Sequence, residues 1–128
     1  MAIPTALLLI AHGSRRPAAN ADLNSLAEAI RGRGLFGHVQ AAFLELCEPS
    51  IVAGGVKCVE AGAVRVVLLP YFLSAGVHVV DDLTAARNEL AARFTSVEFL
   101  LAEPLGRHPL LTEIVLKRAA EALGGLAK

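Results

Sequence analysis

The feature that most constrains this chain is an aliphatic run that stops abruptly. Leu7, Leu8, Leu9, Ile10 and Ala11 are followed at once by His12, Gly13, Ser14 and Arg15. A short apolar run bounded by turn formers reads as a strand covered on both faces, here over residues 5–11. Such a strand needs helices above and below it. The residue at its carboxyl end lies on the rim of an open α/β sheet, where these folds bind ligands. His12 takes that place. A second stretch repeats the pattern: Val64 to Leu69 and Pro70, then a loop from Tyr71 to Gly76, then His78.

The rest of the chain alternates. A helix is predicted over 18–33, with Leu23, Leu26, Ala27 and Ile30 on one face and Gly32 and Gly34 ending it. Residues 38–46 form the second strand, which carries Glu45 near its end. Glu48-Pro49-Ser50 opens a second helix that Gly62 closes. The third strand, 64–69, is the most aliphatic and is expected to be the most central. A third helix runs over 80–94, with Leu83, Ala86, Leu90 and Phe94 inward. Asp81 and Asp82 at its start complement the helix dipole. A fourth strand follows at 97–101. The last helix, 109–123, is expected to bury Leu111, Ile114, Val115 and Ala122. This order predicts one three-layer α/β domain over residues 1–128. Its sheet has four parallel strands in the order 2-1-3-4, with helices on both faces, a flavodoxin-like topology. The connection reverses between strands 1 and 3, so the ligand crevice opens between the ends that carry His12 and His78.

Charge and hydropathy narrow the class of partner. Twelve Lys and Arg balance 12 Asp and Glu, which argues against nucleic acid. No stretch is apolar for the roughly 18 residues that a membrane span needs. The N-terminal residues lack the basic region of a secretion signal, so a cytoplasmic protein is expected. Cys47 and Cys58 then read as reduced thiols. Zero net charge with 55% hydrophobic residues suggests that a partner chain covers some apolar surface.

The rim residues suggest metal chemistry. Neutral imidazoles at His12 and His78 can ligate a metal or take a proton near neutral pH. With Glu45 they would make a facial site for a divalent transition metal that leaves positions open. Glu48 is the competing carboxylate. Gly13 and Ser14 let the chain turn beside His12. Arg15 and Arg16 suit carboxylates or phosphates. Tyr71, Phe72 and Leu73, with Ser74 and Gly76, supply an apolar wall and a close backbone approach for a flat ligand. Gly32 to Gly37 spells G-x-G-x-x-G, but it follows a helix and precedes a strand, the reverse of a dinucleotide site. Ala11 stands where the histidine phosphatases need an arginine before their His-Gly. His38 and His108 read as surface residues.

Three segments together resemble one family. A-H-G-S-R at 11–15, A-F-L-E-L-C-E-P-S-I at 42–51 and L-P-Y-F-L-S-A-G-V-H-V-V-D-D at 69–82 look like the small sirohydrochlorin chelatases of the CbiX type. The resemblance implies insertion of Co²⁺, Fe²⁺ or Ni²⁺ into sirohydrochlorin, on the way to cobalamin, sirohaem or a nickel tetrapyrrole. It implies His12 and His78 at the metal, with Glu45 as the carboxylate. It implies no organic cofactor, the divalent metal being a substrate. Larger class II chelatases hold two such domains face to face, so the resemblance implies half of that architecture and hence a homodimer. Two other readings compete with catalysis. One is a module of the same fold that only binds a metal or tetrapyrrole. The other is an unrelated receiver-like domain, which would need acidic residues where Ala11 and His12 stand.

Overall fold

The computed structural model describes residues 4–124. Most of the N-terminal residues behind the expectation of no secretion signal lie outside them. Four strands, β1 (Thr5–Ala11), β2 (His38–Phe43), β3 (Arg65–Pro70) and β4 (Glu98–Leu101), alternate with four helices. The helices are α1 (Pro17–Arg31), α2 (Ile51–Glu60), α3 (Val77–Arg93) and α4 (Pro109–Ala122). The strands form one parallel sheet in the order β2-β1-β3-β4, as expected.

Strand alternation divides the core. Ala6, Leu8 and Ile10 of β1 point to one side, where they meet Val66, Leu68, Leu83, Leu90 and Phe99 under α2 and α3. Leu7 and Leu9 point to the other, where Leu23 and Ala27 of α1 cover them along with Val39 and Phe43. Fully burying each of the Leu, Ile, Val and Phe side chains stabilises the fold by about 1.5–3 kcal/mol. α2 lies close because it presents glycines. A Cβ on Gly54 would stand 2.9 Å from the Ala42 Cβ, and one on Gly55 would stand 2.5 Å from a Leu90 methyl.

Several expectations are corrected. β1 is covered on both faces, as expected, but β3, expected to be the most central strand, is not. β3 alternates between buried and half-buried residues, because α1 packs on β1 and β2 and leaves β3 open on that side. β2 ends at Phe43, so Glu45 lies in the loop beyond it. α3 begins at Val77 rather than Val80, with Gly76 as an extended N-cap whose carbonyl accepts from the Val80 N–H. Asp81 and Asp82 therefore fall outside its first turn, and His78 sits within it. The largest correction concerns α4, which buries none of its residues. The link before it is held at the rim. Leu105 N–H donates to the Phe72 carbonyl at 3.0 Å. A Cβ on Gly106 would stand 1.8 Å from the Leu73 carbonyl oxygen. The helix therefore leaves from the loop after β3 instead of folding back over the sheet.

Candidate active site

The site is built on the carboxyl end of β1, which is tied to both neighbours. Ala11 carbonyl accepts from Leu44 N–H at 3.0 Å, and His12 carbonyl accepts from Glu45 N–H at 3.1 Å. On the other side Ile10 carbonyl accepts from Tyr71 N–H at 2.7 Å. The loops after β2 and β3 are thus fixed to the strand that carries His12. Its exposed imidazole packs against the Phe72 ring, with centroids 4.6 Å apart and planes tilted by 34°. Phe72 is half-buried and packs against the core under α2 and α3, so the imidazole rests on a fixed support.

Gly13 adopts φ +93, a conformation in which glycine avoids the steric cost of a side chain. The next turn is clamped. Ser14 N–H donates to Asn20 Oδ1 at 2.9 Å, and Asn20 Nδ2 donates back to the Ser14 carbonyl at 2.7 Å. Ser14 Oγ accepts from Arg16 N–H at 3.0 Å, and Arg16 caps α1 in an extended conformation. Arg15 and Arg16 are exposed, and neither forms an ion pair with a carboxylate among the described residues. Both guanidinium groups are available to an anionic ligand.

Across the rim, Tyr71 is 40% and Leu73 63% exposed, so the loop offers an apolar surface beside Phe72. Ser74 is exposed. Gly76 has open space where a side chain would stand and shows no positive φ, so its role is to leave room and cap α3. His78, the second residue of α3, is exposed. α1, α2 and α3 all begin on this rim, and helix N-termini carry partial positive charge that favours anions.

On the β2 side, Glu45 and Glu48 line a shallow pocket of about 420 Å³ together with Leu44, Leu46 and Cys47. Leu46 turns the loop at φ 64. Among the described residues, no three His, Cys, Asp or Glu side chains are grouped closely enough to hold a metal ion. The facial set expected from His12, His78 and Glu45 is therefore not preassembled in one chain. β2 stops before Glu45, and His78 rides on a helix rather than at a strand end. Asn20, which clamps the turn after His12, is not evident as a site residue from the sequence. Its only signal there is a short polar residue in the first turns of a helix, a place that offers other hydrogen bonds.

Comparison with known proteins matches the domain as a whole. The CbiX family model matches residues 6–122. A sirohydrochlorin cobaltochelatase from Methanopyrus kandleri is 32% identical, over 93% of this chain and 97% of its own length. A chloroplastic sirohydrochlorin ferrochelatase from Arabidopsis thaliana is 34% identical, over 91% of this chain and 52% of its own. The crystal structure of the sirohydrochlorin chelatase SirB from Bacillus subtilis subspecies spizizenii, in complex with cobalt, superposes with a TM-score of 0.84. It is 26% identical, over 93% of this chain and 51% of that one. The chain thus spans nearly all of one relative and about half of the other two. The match runs through every strand and helix of the domain: the chain belongs to the CbiX family.

Proposed function

We propose that this protein inserts a divalent metal, Co²⁺ ahead of Fe²⁺ or Ni²⁺, into sirohydrochlorin. The observation that carries the reading is His12, exposed at the β1 end where the sheet connection reverses and backed by Phe72. Metal insertion replaces two pyrrole N–H protons of the macrocycle with M²⁺, so two protons must leave. His12 suits both duties, offering its imidazole to the arriving metal and then accepting a proton. His78 shares the work from the first turn of α3. Glu45 joins as the carboxylate, or relays protons outward, once the loop after β2 adjusts to the metal.

Sirohydrochlorin is a flat, many-carboxylate ring. Arg15, Arg16 and the rim's helix N-termini supply the positive side of its recognition. Tyr71, Phe72 and Leu73 supply the apolar side, with Gly13, Ser14, Ser74 and Gly76 leaving room for the ring. The reading is of a single chelatase domain that works as a homodimer in the cytoplasm, with the second copy closing the cleft. No organic cofactor takes part.

The test is an anaerobic metallation assay followed in the visible spectrum, with Co²⁺, Fe²⁺ and Ni²⁺ in parallel. The protein should accelerate metallation over the uncatalysed mixture. His12→Ala and His78→Ala should each lower the rate about a hundredfold or more, the low end of what a lost acid–base group costs. Tight binding of metal or tetrapyrrole without turnover would overturn the catalytic reading. Unaltered rates in the double variant would overturn the residue assignment.

A further inference from the structure

A metal-ligating imidazole is ordinarily fixed by its other ring nitrogen, which donates to a carboxylate, a backbone carbonyl or water. His12 is held differently. Among the described residues no side chain or backbone group makes a hydrogen bond or ion pair with its ring, which instead leans on the Phe72 ring at 4.6 Å and 34°. Ring pairs accept a range of offsets and tilts. The contact therefore orients the imidazole only as well as Phe72 is itself held.

The backbone around Phe72 is gripped from two directions. Before it, Tyr71 N–H donates to the Ile10 carbonyl of β1 at 2.7 Å. After it, Leu73 and Ser74 are exposed, and the hold comes from the link between β4 and α4. Leu105 N–H donates to the Phe72 carbonyl at 3.0 Å. Gly106 lies so close to the Leu73 carbonyl oxygen that a Cβ would stand 1.8 Å from it. Gly106 shows no positive φ, so glycine is required there by space and not by backbone conformation. The link is tied down in turn. Ala102 N–H donates to the Leu68 carbonyl at 2.9 Å, and His108 N–H donates to the Leu105 carbonyl at 3.3 Å. His108 Nδ1 accepts from Leu110 N–H at 3.1 Å.

We propose that Leu105 and Gly106 are positioning residues for the His12 imidazole: they hold the backbone of Phe72 and Leu73, and the Phe72 ring passes that hold to the site. The proposal rests on the reading of His12 as metal ligand and base, and deepens it. Tethering α4 would not by itself require so close an approach to the rim wall. A shift of the wall turns the ring that leans on it, and misplacement by about 1 Å can cost a reaction about a hundredfold. α4 buries none of its residues, so the core does not depend on the link.

The test uses the full chain with Gly106→Ala, Leu105→Pro, Phe72→Leu and Phe72→Tyr, each checked by far-UV circular dichroism. With ¹³C-labelled histidine, the His12 ring protons report the Phe72 ring current with no metal or tetrapyrrole present. In Gly106→Ala and Leu105→Pro these resonances should move toward their positions in Phe72→Leu, while Phe72→Tyr should stay near the parent. In metallation assays Gly106→Ala should lower kcat about tenfold and change KM less. Phe72→Tyr should recover most of the kcat that Phe72→Leu loses. In the Phe72→Leu background Gly106→Ala should add less than about twofold, because residues acting through one ring are not additive. Resonances that stay put in both link variants would overturn the proposal. So would a full tenfold loss from Gly106→Ala without the Phe72 ring, or a loss confined to KM. If Gly106→Ala does not fold, Leu105→Pro carries every reading in its place. A parent that fails to metallate would sink the chelatase reading, and the His12 resonances alone would then decide this one.

Discussion

Gly13 and Glu45 meet so closely that no side chain fits between them. A Cβ on Gly13 would stand 1.8 Å from the Glu45 carbonyl oxygen, and the residue holds φ +93. The contact lies beside the hydrogen bond from Glu45 N–H to the His12 carbonyl. The loop that carries the candidate carboxylate is therefore set against the backbone of the candidate base.

Gly13→Ala should break this arrangement. Steric overlap and a disfavoured φ together predict a loss of about 2–4 kcal/mol in stability. Urea denaturation should show the midpoint falling with little change in slope. A midpoint within error of the parent would mean that the loop after β2 yields at no cost.

Asn20→Ala removes both hydrogen bonds that clamp the Ser14 peptide. The expected cost is about 1–2 kcal/mol, with metallation slowed about tenfold as the turn after His12 loosens. Asn20→Asp keeps the acceptor for Ser14 N–H and loses the donor, so it should fall between the two. Equal activity in all three proteins would remove Asn20 from the site's support.

Gly54→Ala and Gly55→Ala test the close approach of α2. Helix propensity alone predicts a gain of about 1 kcal/mol for each. Packing predicts the opposite, because the new methyls would press on Ala42 and Leu8, or on the buried Leu90. Net destabilisation by about 1–2 kcal/mol is expected from overpacking, read from thermal midpoints. A gain in both would show that α2 can move outward freely.

Cys58 provides a pH test. Burial pushes its thiol from 9.0 up to about 12. Above pH 9 the unfolded chain releases this proton while the folded chain keeps it. Stability should therefore fall with rising pH between about 9 and 12, by up to about 1.4 kcal/mol per pH unit. Cys58→Ala should flatten that slope. With an aromatic disulfide reagent at pH 8, Cys47 should react quickly and Cys58 only on unfolding. Rapid reaction of both would contradict the burial of Cys58.

The order of elements was legible because its signals are local. The aliphatic run at residues 7–11 and the helical spacing of Leu23, Leu26, Ala27 and Ile30 report directly on what each segment buries. The start of α3 was not, since Val77, Val79 and Val80 are β-branched and look extended until Gly76 caps them. The end of β2 was hidden because Leu44 and Leu46 continue its apolar pattern past the point where the chain turns. His12 could be placed because it directly follows a strand. Glu45 was placed less well because loop geometry decides its position. The apolar residues of α4 announced that the helix must be covered, but periodicity does not say by which chain.

The tandem glycines of α2 also bear on how firmly the rim is held. A ten-residue helix with two adjacent glycines has little tendency to form alone, so its order is borrowed from β1, β2 and α3. Its N-cap, Ser50, follows Pro49, whose carbonyl holds the Phe43 N–H at the end of β2. Local opening of α2 would release the Glu45 loop from that end while β1, which ends just before His12, stays in the sheet. The two sides of the crevice then differ in their free energy of opening, and amide exchange should be slow around His12 and fast around Glu45.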